Sequence, residues 1–383
     1  MSKRSTLLIG LFVGFLVGAV GAALELLPFT DDPLSVSDQA IETIEENYFR
    51  EPDSGKLGDA SVSGMVDKLR KRYDDRFSHY FDPETLEEFE AQTRGRFTGV
   101  GLAVVEVKEG LRVAQVYPET PAKDAGIKIG DLILEADGED LAGLSAEAAS
   151  AMIKGPPGTE VTLTVKSGEE KPRELDVERA EVRIPAVRGQ IKRVDGRPIA
   201  YVQLATFSEG AHAELRGEVE RLYRRGAEGL VLDLRGNGGG LLDEAVLTSS
   251  IFVEDGVIVA TDGRTQPRRE YEAVGDAIEP RPTVVLVNED TASAAEILAA
   301  ALADYGLAEL VGTRTYGKGT FQEVLDLGED RGALDLTVGE YFTSEGVSLA
   351  GKGIKPDIRV PDDRKTPADE ALDEALDTVV GEL

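Results

Sequence analysis

The sequence contains no cysteine and only two histidines, His79 and His212. The first absence excludes a cysteine nucleophile and any cysteine-based zinc or iron–sulfur site. It says nothing about the redox compartment, because a core of this size needs no disulfide. The scarcity of histidine implies that a hydrolase built on this chain draws its base from elsewhere. Basic residues are also few: 42 Lys and Arg against 72 Asp and Glu give a formal charge of −30. Sequence-independent binding to DNA or RNA needs a basic surface and is therefore excluded; solubility or a saline habitat accounts for the acidity. With 383 residues, 41% hydrophobic and 30% charged, the chain has material for two or three domains with real cores.

Long apolar runs are missing except at the start. Lys3 and Arg4 precede Leu7 to Leu24, an uncharged stretch that Glu25 ends. Its length lies between that of a cleaved signal peptide and a membrane anchor, with Ala19-Val20-Gly21 or Gly21-Ala22-Ala23 as the small-residue site. Residues 1–26 are thus expected to direct export, to the periplasm or another extracytoplasmic space, with Lys3 and Arg4 kept inside. Residues 31–93 read as a helical region in which Val36, Ala40, Ile41 and Ile44 recur at helical spacing. His79, among Phe77, Tyr80 and Phe81, is expected to be a packed histidine, and His212, in Gly-Ala-His-Ala, a solvated or capping one.

From Phe97 the texture turns to short strands with Gly and Pro turns. Gly99-Val100-Gly101-Leu102 leads into a strand, Pro121-Ala122 opens a short helix that Gly126 ends, and Asp137-Gly138 signals a hairpin. Ser145 to Ile153 has helical spacing and Thr159 to Lys166 alternates as a strand. With the series Pro-Ala-x-x-Ala-Gly-Ile-x-x-Gly-Asp, residues 94–180 resemble a PDZ domain of the kind inserted in bacterial proteases. That resemblance implies that Gly99, Val100, Gly101 and Leu102 hold the C-terminus of a protein or peptide partner added as an edge strand.

Further on, Gly229 to Leu234 is a buried-type strand that ends in Arg235-Gly236-Asn237-Gly238-Gly239-Gly240. Consecutive glycines let the backbone approach another group with its N–H donors, and the missing glycine at Leu241 excludes a dinucleotide fingerprint. Thr283 to Val287 is a β-branched strand, and Ile297 to Leu302 a helical run, so the chain turns at Ser293. Two readings of Ser293 stand side by side. With Glu296 three residues on it forms a capping box; its hydroxyl also sits where a helix start stabilises an oxyanion, as a nucleophile requires. Gly312 to Gly319 imitates a phosphate-binding loop up to Lys318, but Gly319 replaces the Ser or Thr that magnesium needs and no helix is expected to follow. Held between Gly317 and Gly319 in a folded core, Lys318 is a candidate base, since desolvation lowers a lysine pKa.

Thr291-Ala292-Ser293-Ala294-Ala295-Glu296-Ile297, Gly317-Lys318-Gly319-x-x-Gln322 and Gly351-Lys352-Gly353-Ile354-Lys355-Pro356-Asp357, in that order, resemble the C-terminal processing peptidases, also called tail-specific proteases. The resemblance covers Asp31 to about Pro361. It implies a multi-domain α/β protein: a crotonase- or ClpP-like β-α catalytic core over 181–365, the inserted PDZ domain and the N-terminal helical region. It implies a Ser–Lys dyad of Ser293 and Lys318, with Gln322 orienting the lysine amine and the N–H groups of Gly239 and Ala294 forming the oxyanion hole; no metal or other cofactor is implied. Two departures are Gly238, where relatives often carry Pro or Ser, and Thr343 to Ser348, which lacks the usual Pro and basic residue. The short terminal segment, 366–383, reads as an amphipathic helix that either is solvated or serves a homodimer. Two other readings are a catalytically inactive tail-binding scaffold and, by likeness of the core, a crotonase-type acyl-CoA enzyme; the intact Ser293, Lys318 and Gln322 oppose the first, and export with a PDZ domain the second.

Overall fold

A computed structural model describes residues 33–328, 331–361 and 368–383; the expected export segment, 1–26, lies outside them. Among the described residues no helix is long and apolar enough to cross a membrane. The chain forms two compact units that divide at Tyr80/Phe81, so the helix Pro83–Thr93 belongs to the larger unit rather than to the N-terminal region. The smaller unit carries α1 (Pro33–Asn47) and α2 (Ser54–Tyr73). Asp53 starts α2 by accepting the Lys56 N–H, and the last turn bears Arg70, Lys71 and Arg72, whose charges suit the negative end of a helix. The Tyr80 hydroxyl donates to Asp59 at 2.7 Å within this unit.

In the larger unit, α3 (Pro83–Thr93) leads into β1 (Arg96–Gly99). A barrel-like sheet comes next, of β2 (Leu102–Val107), β3 (Gly110–Val116), β4 (Leu132–Ala136), β5 (Glu160–Lys166) and β6 (Arg173–Glu178), paired antiparallel in that order. Helix α4 (Ala146–Ile153) packs over it, capped by Ser145. In β5 the residues Val161, Leu163 and Val165 are buried and their neighbours are not, the period of two expected of a half-buried strand. They enclose a separate core with Leu111, Val113 and Ile133. Strand β7 (Ala180–Arg183) returns beside β1, so a two-stranded ribbon joins this domain to the C-terminal half of the chain.

The remainder is a three-layer sandwich. Its main sheet runs β8 (Val187–Val194), β9 (Arg197–Leu204), β10 (Gly229–Asp233), then β13 and β14, and ends in a two-residue strand, β17. Here β13 is Thr283–Val287, β14 Glu309–Gly312 and β17 Ile358–Arg359; only the β8–β9 pair is antiparallel. Strands β10 and β13 are buried at every position, as parallel strands covered on both faces must be. Alternation sends Leu230, Leu232, Val285 and Val287 to one face, against α5 (Ala211–Arg224), α6 (Leu242–Ser249) and α7 (Ala294–Asp304). Val231, Val284 and Leu286 go to the other, where α8 (Glu370–Gly381) lies. A second antiparallel group pairs β15 (Thr320–Asp326) with β16 (Ala333–Thr343), β16 with β11 (Val257–Asp262), and β11 with β12 (Arg269–Glu272).

The expectation that the terminal helix serves self-association is corrected here. Ala371, Leu372, Ala375, Leu376 and Val379 are all buried against Ile199, Val231, Val284, Leu286 and Val311 of the chain's own sheet. The apolar face of α8 is spent in completing the core, so that face is neither solvated nor open to a second copy, while Asp373, Glu374 and Asp377 on the other face are exposed.

Candidate active site

The site begins where β13 ends. The apolar strand stops at Asn288, whose side-chain oxygen accepts the N–H groups of Gly236 at 3.0 Å and Asp290 at 3.2 Å, and whose own N–H donates to Thr291 Oγ1. Ser293 then takes φ 58° and ψ −119°, a backbone conformation that a residue with a Cβ rarely adopts, and α7 starts at Ala294. Strain of this kind persists where the surroundings fix it, and here they do so through one residue.

That residue is Glu296, fully buried in the first turn of α7. Its Oε2 accepts the Ser293 N–H at 2.9 Å and the Lys318 N–H at 2.9 Å. Its Oε1 accepts the Gly317 N–H at 2.8 Å and the Thr315 hydroxyl. The backbone nitrogens of Ser293 and Lys318 therefore lie within twice 2.9 Å of each other. Gly317, at φ 85°, stands so near the backbone of Gly353 that an added Cβ would meet Gly353 N at 2.7 Å. The Gly351-Lys352-Gly353-Ile354 segment buttresses the lysine loop in this way, with Gly351 N–H on Gly317 O at 3.0 Å and Ile354 N–H on Thr315 Oγ1 at 2.6 Å.

Lys318 is largely withdrawn from water. Burial pulls its pKa below the ordinary lysine value, and the charge of Asp335 opposes that shift. Tyr341 of β16 is buried near Ser293, and burial pushes its phenol well above its ordinary pKa. Gln322, expected to orient the lysine amine, gives its amide N–H groups to Thr337 Oγ1 at 3.1 Å and Thr320 Oγ1 at 3.4 Å, bonds that do not engage the amide oxygen. The cause is the strand register, which sets Gln322 of β15 directly opposite Thr337 of β16.

The glycine-rich loop reaches Ser293 as close approach requires. A Cβ on Gly239, at φ 105°, would stand 2.8 Å from Ser293 Cβ and 3.0 Å from Ala294 N. Of the two expected donors, the Ala294 N–H has no acceptor among the described residues. The Gly239 N–H donates to Asn237 Oδ1 at 2.9 Å, and the Asn237 amide is itself fixed on Leu204 O at 2.8 Å. Asn237 and Tyr341 are contributors that sequence reasoning passed over; Glu296 was read there only as the capping-box partner of Ser293, a role it keeps here by accepting the Ser293 N–H. His212 lies outside this constellation and pairs through Nδ1 with Glu244 at 2.8 Å. Among the described residues no group of three or more His, Asp or Glu is placed to hold a metal.

A second concavity lies in the barrel-like domain, a cavity of ≈ 230 Å³. Gly99, Val100, Gly101 and Leu102 all line it, with Ile153 and Lys154 at the end of α4.

The profile of the PDZ domain matches residues 112–167, and that of peptidase family S41 matches residues 198–360. A carboxy-terminal-processing protease of Bartonella bacilliformis is 36% identical over 84% of this chain and 73% of its own. The chain belongs to peptidase family S41. Another S41 relative, the carboxy-terminal processing protease CtpA of Bacillus subtilis, is 34% identical over 88% of this chain and 71% of its own. A crystal structure from Bacteroides fragilis assigned to the S41 proteases superposes with a TM-score of 0.55 at 20% identity, covering 88% of this chain and 91% of that one, a likeness of fold. As an S41 member with a PDZ domain, the protein is a serine-type C-terminal processing peptidase acting on peptide substrates.

Proposed function

We propose that the protein is an exported endopeptidase that holds a substrate's C-terminus in its PDZ domain and cleaves by a Ser293–Lys318 acyl-enzyme mechanism. Neutral Lys318 takes the Ser293 hydroxyl proton as Oγ attacks the scissile carbonyl. The oxyanion forms against the Ala294 N–H and a glycine N–H of the 238–240 loop; Gly239 serves once it releases Asn237 Oδ1. Lys318 then returns the proton to the leaving amine, and a water activated by the same amine hydrolyses the ester. Export rests on Lys3, Arg4 and the apolar run Leu7 to Leu24.

The observation that carries this reading is Glu296, whose carboxyl group ties the Ser293 and Lys318 backbones together while burial favours the neutral amine of Lys318. The test is incubation of the chain from residue 31 onward with an unfolded protein that ends in apolar residues, beside Ser293→Ala and Lys318→Ala. Cleavage by the wild type and loss of at least ~10³-fold in both variants is expected, by analogy with the loss of other serine-protease catalytic groups. Equal cleavage by all three, or none by the wild type on any substrate, overturns the mechanism.

A further inference from the structure

Outside the groups assigned above, an ion network lies at the other end of the glycine-rich loop, with the Asp233 side chain buried, that of Arg235 largely so and that of Asp369 42% exposed. Asp233, 1% exposed at the end of β10, accepts the Tyr201 hydroxyl at 2.7 Å and the Arg235 N–H at 2.9 Å. The Arg235 guanidinium lies between two carboxylates. It meets Asp233 through Nε at 3.0 Å and Nη2 at 2.8 Å, and Asp369 through Nη1 at 2.6 Å and Nη2 at 2.9 Å. Asp369 is the residue that caps α8, where its Oδ1 also accepts the Leu372 N–H at 3.0 Å.

We propose that Asp369 is a positioning residue for the reaction, which through Arg235 fixes the turn that presents the glycine-rich loop to Ser293. The proposal rests on the assignment of Ser293 as nucleophile. Each residue of the turn has its own restraint: Asp233 on Tyr201, Gly236 on Asn288, Asn237 on Leu204 and Gly239. These partners come from β9, from the loop before Ser293 and from the glycine-rich loop itself. Asp369 adds the far layer of the sandwich. The planar guanidinium, forked onto a carboxylate on each side, has little freedom to rotate. Arg235 keeps Asp233 when Asp369 loses its charge, so the second carboxylate serves orientation more than the burial of the arginine.

Asp369→Asn separates this role from that of a helix cap, because asparagine caps as well as aspartate but cannot match the guanidinium fork. The experiment compares wild type, Asp369→Asn, Arg235→Lys and the double variant at a temperature where all are folded. It measures kcat, KM and the hydrogen exchange of the loop amides. In Asp369→Asn kcat falls ~10- to 100-fold, the loss that a displacement of about 1 Å brings, with KM within about twofold. Exchange at Gly236 to Gly240 rises at least ~10-fold while α7 is unchanged, and the double variant is no worse than Arg235→Lys, as coupled residues require. Loop exchange equal to wild type overturns the proposal, as does an unchanged kcat in an active enzyme. A wild type without activity defeats the protease mechanism instead, and the exchange measurement still decides this proposal.

Discussion

Glu296 accepts four hydrogen bonds on two oxygens, three from backbone N–H groups, in a place from which water is excluded. Glu296→Gln turns one acceptor into an NH₂ that faces donors. We expect it to destabilise the chain by ~1–3 kcal/mol, read from urea unfolding, and to depress kcat more than KM. The pH profile belongs to Lys318. Its folded pKa is lowered by burial, so its base form appears as pH rises through a midpoint below that of an ordinary lysine. Activity should rise with pH through that midpoint, and Lys318→Arg should abolish the rise. Stability changes in the same direction: the buried ammonium costs stability at low pH, and the cost is relieved as pH rises from the lowered folded value to that of an ordinary lysine. A kcat/KM profile that is flat up to the range of free lysine refutes this. Ser293 and Lys318 could be singled out in the sequence because turn, spacing and neighbours are local. The wider role of Glu296 could not: a capping box spans three residues, while Thr315, Gly317 and Lys318 come from about twenty residues further on.

At the scale of elements, α8 is the clearest case of a pattern read correctly and placed wrongly. Its apolar positions gave the helix, but periodicity defines a face without naming what covers it. The covering sheet is assembled from strands made far earlier in the chain, such as β10 with Val231. Leu376, 7% exposed, sits in that interface. Leu376→Ala should lower stability by ~2–4 kcal/mol in thermal or chemical unfolding, as buried leucines do; a loss under ~1 kcal/mol would mean that α8 is not part of the cooperative core. Gln322 shows the same limit on a strand. Its spacing from Lys318 suggested a partner for the amine; its bond to Thr337 follows from register, a fact of pairing that no local spacing contains.

For the whole molecule, the ribbon of β1 and β7 is the covalent connection between two separate cores, that of the PDZ domain and that of the three-layer sandwich. If the tail is held in the first, removing the last three residues of a substrate raises KM at least ~10-fold and leaves the hydrolysis of a short peptide unchanged. Initial rates that do not differ between intact and truncated substrates would remove the PDZ domain from substrate capture. The domain order was readable from changes of texture along the chain: alternation in β5, uninterrupted burial in β10 and β13. The sheet order was not readable, since parallel neighbours such as β10 and β13 lie some 50 residues apart and β17 is two residues long.

The place of α8 also sets a timetable. A chain made from its N-terminus completes β14 roughly 70 residues before α8 ends, several seconds at the ~5–20 residues per second of synthesis. Throughout that interval Val231, Val284, Leu286 and Val311 have no covering layer. The newborn protein is therefore at its most adhesive after Ser293 and Lys318 have been made and before its fold can close, which makes this short window the natural point of action for a chaperone.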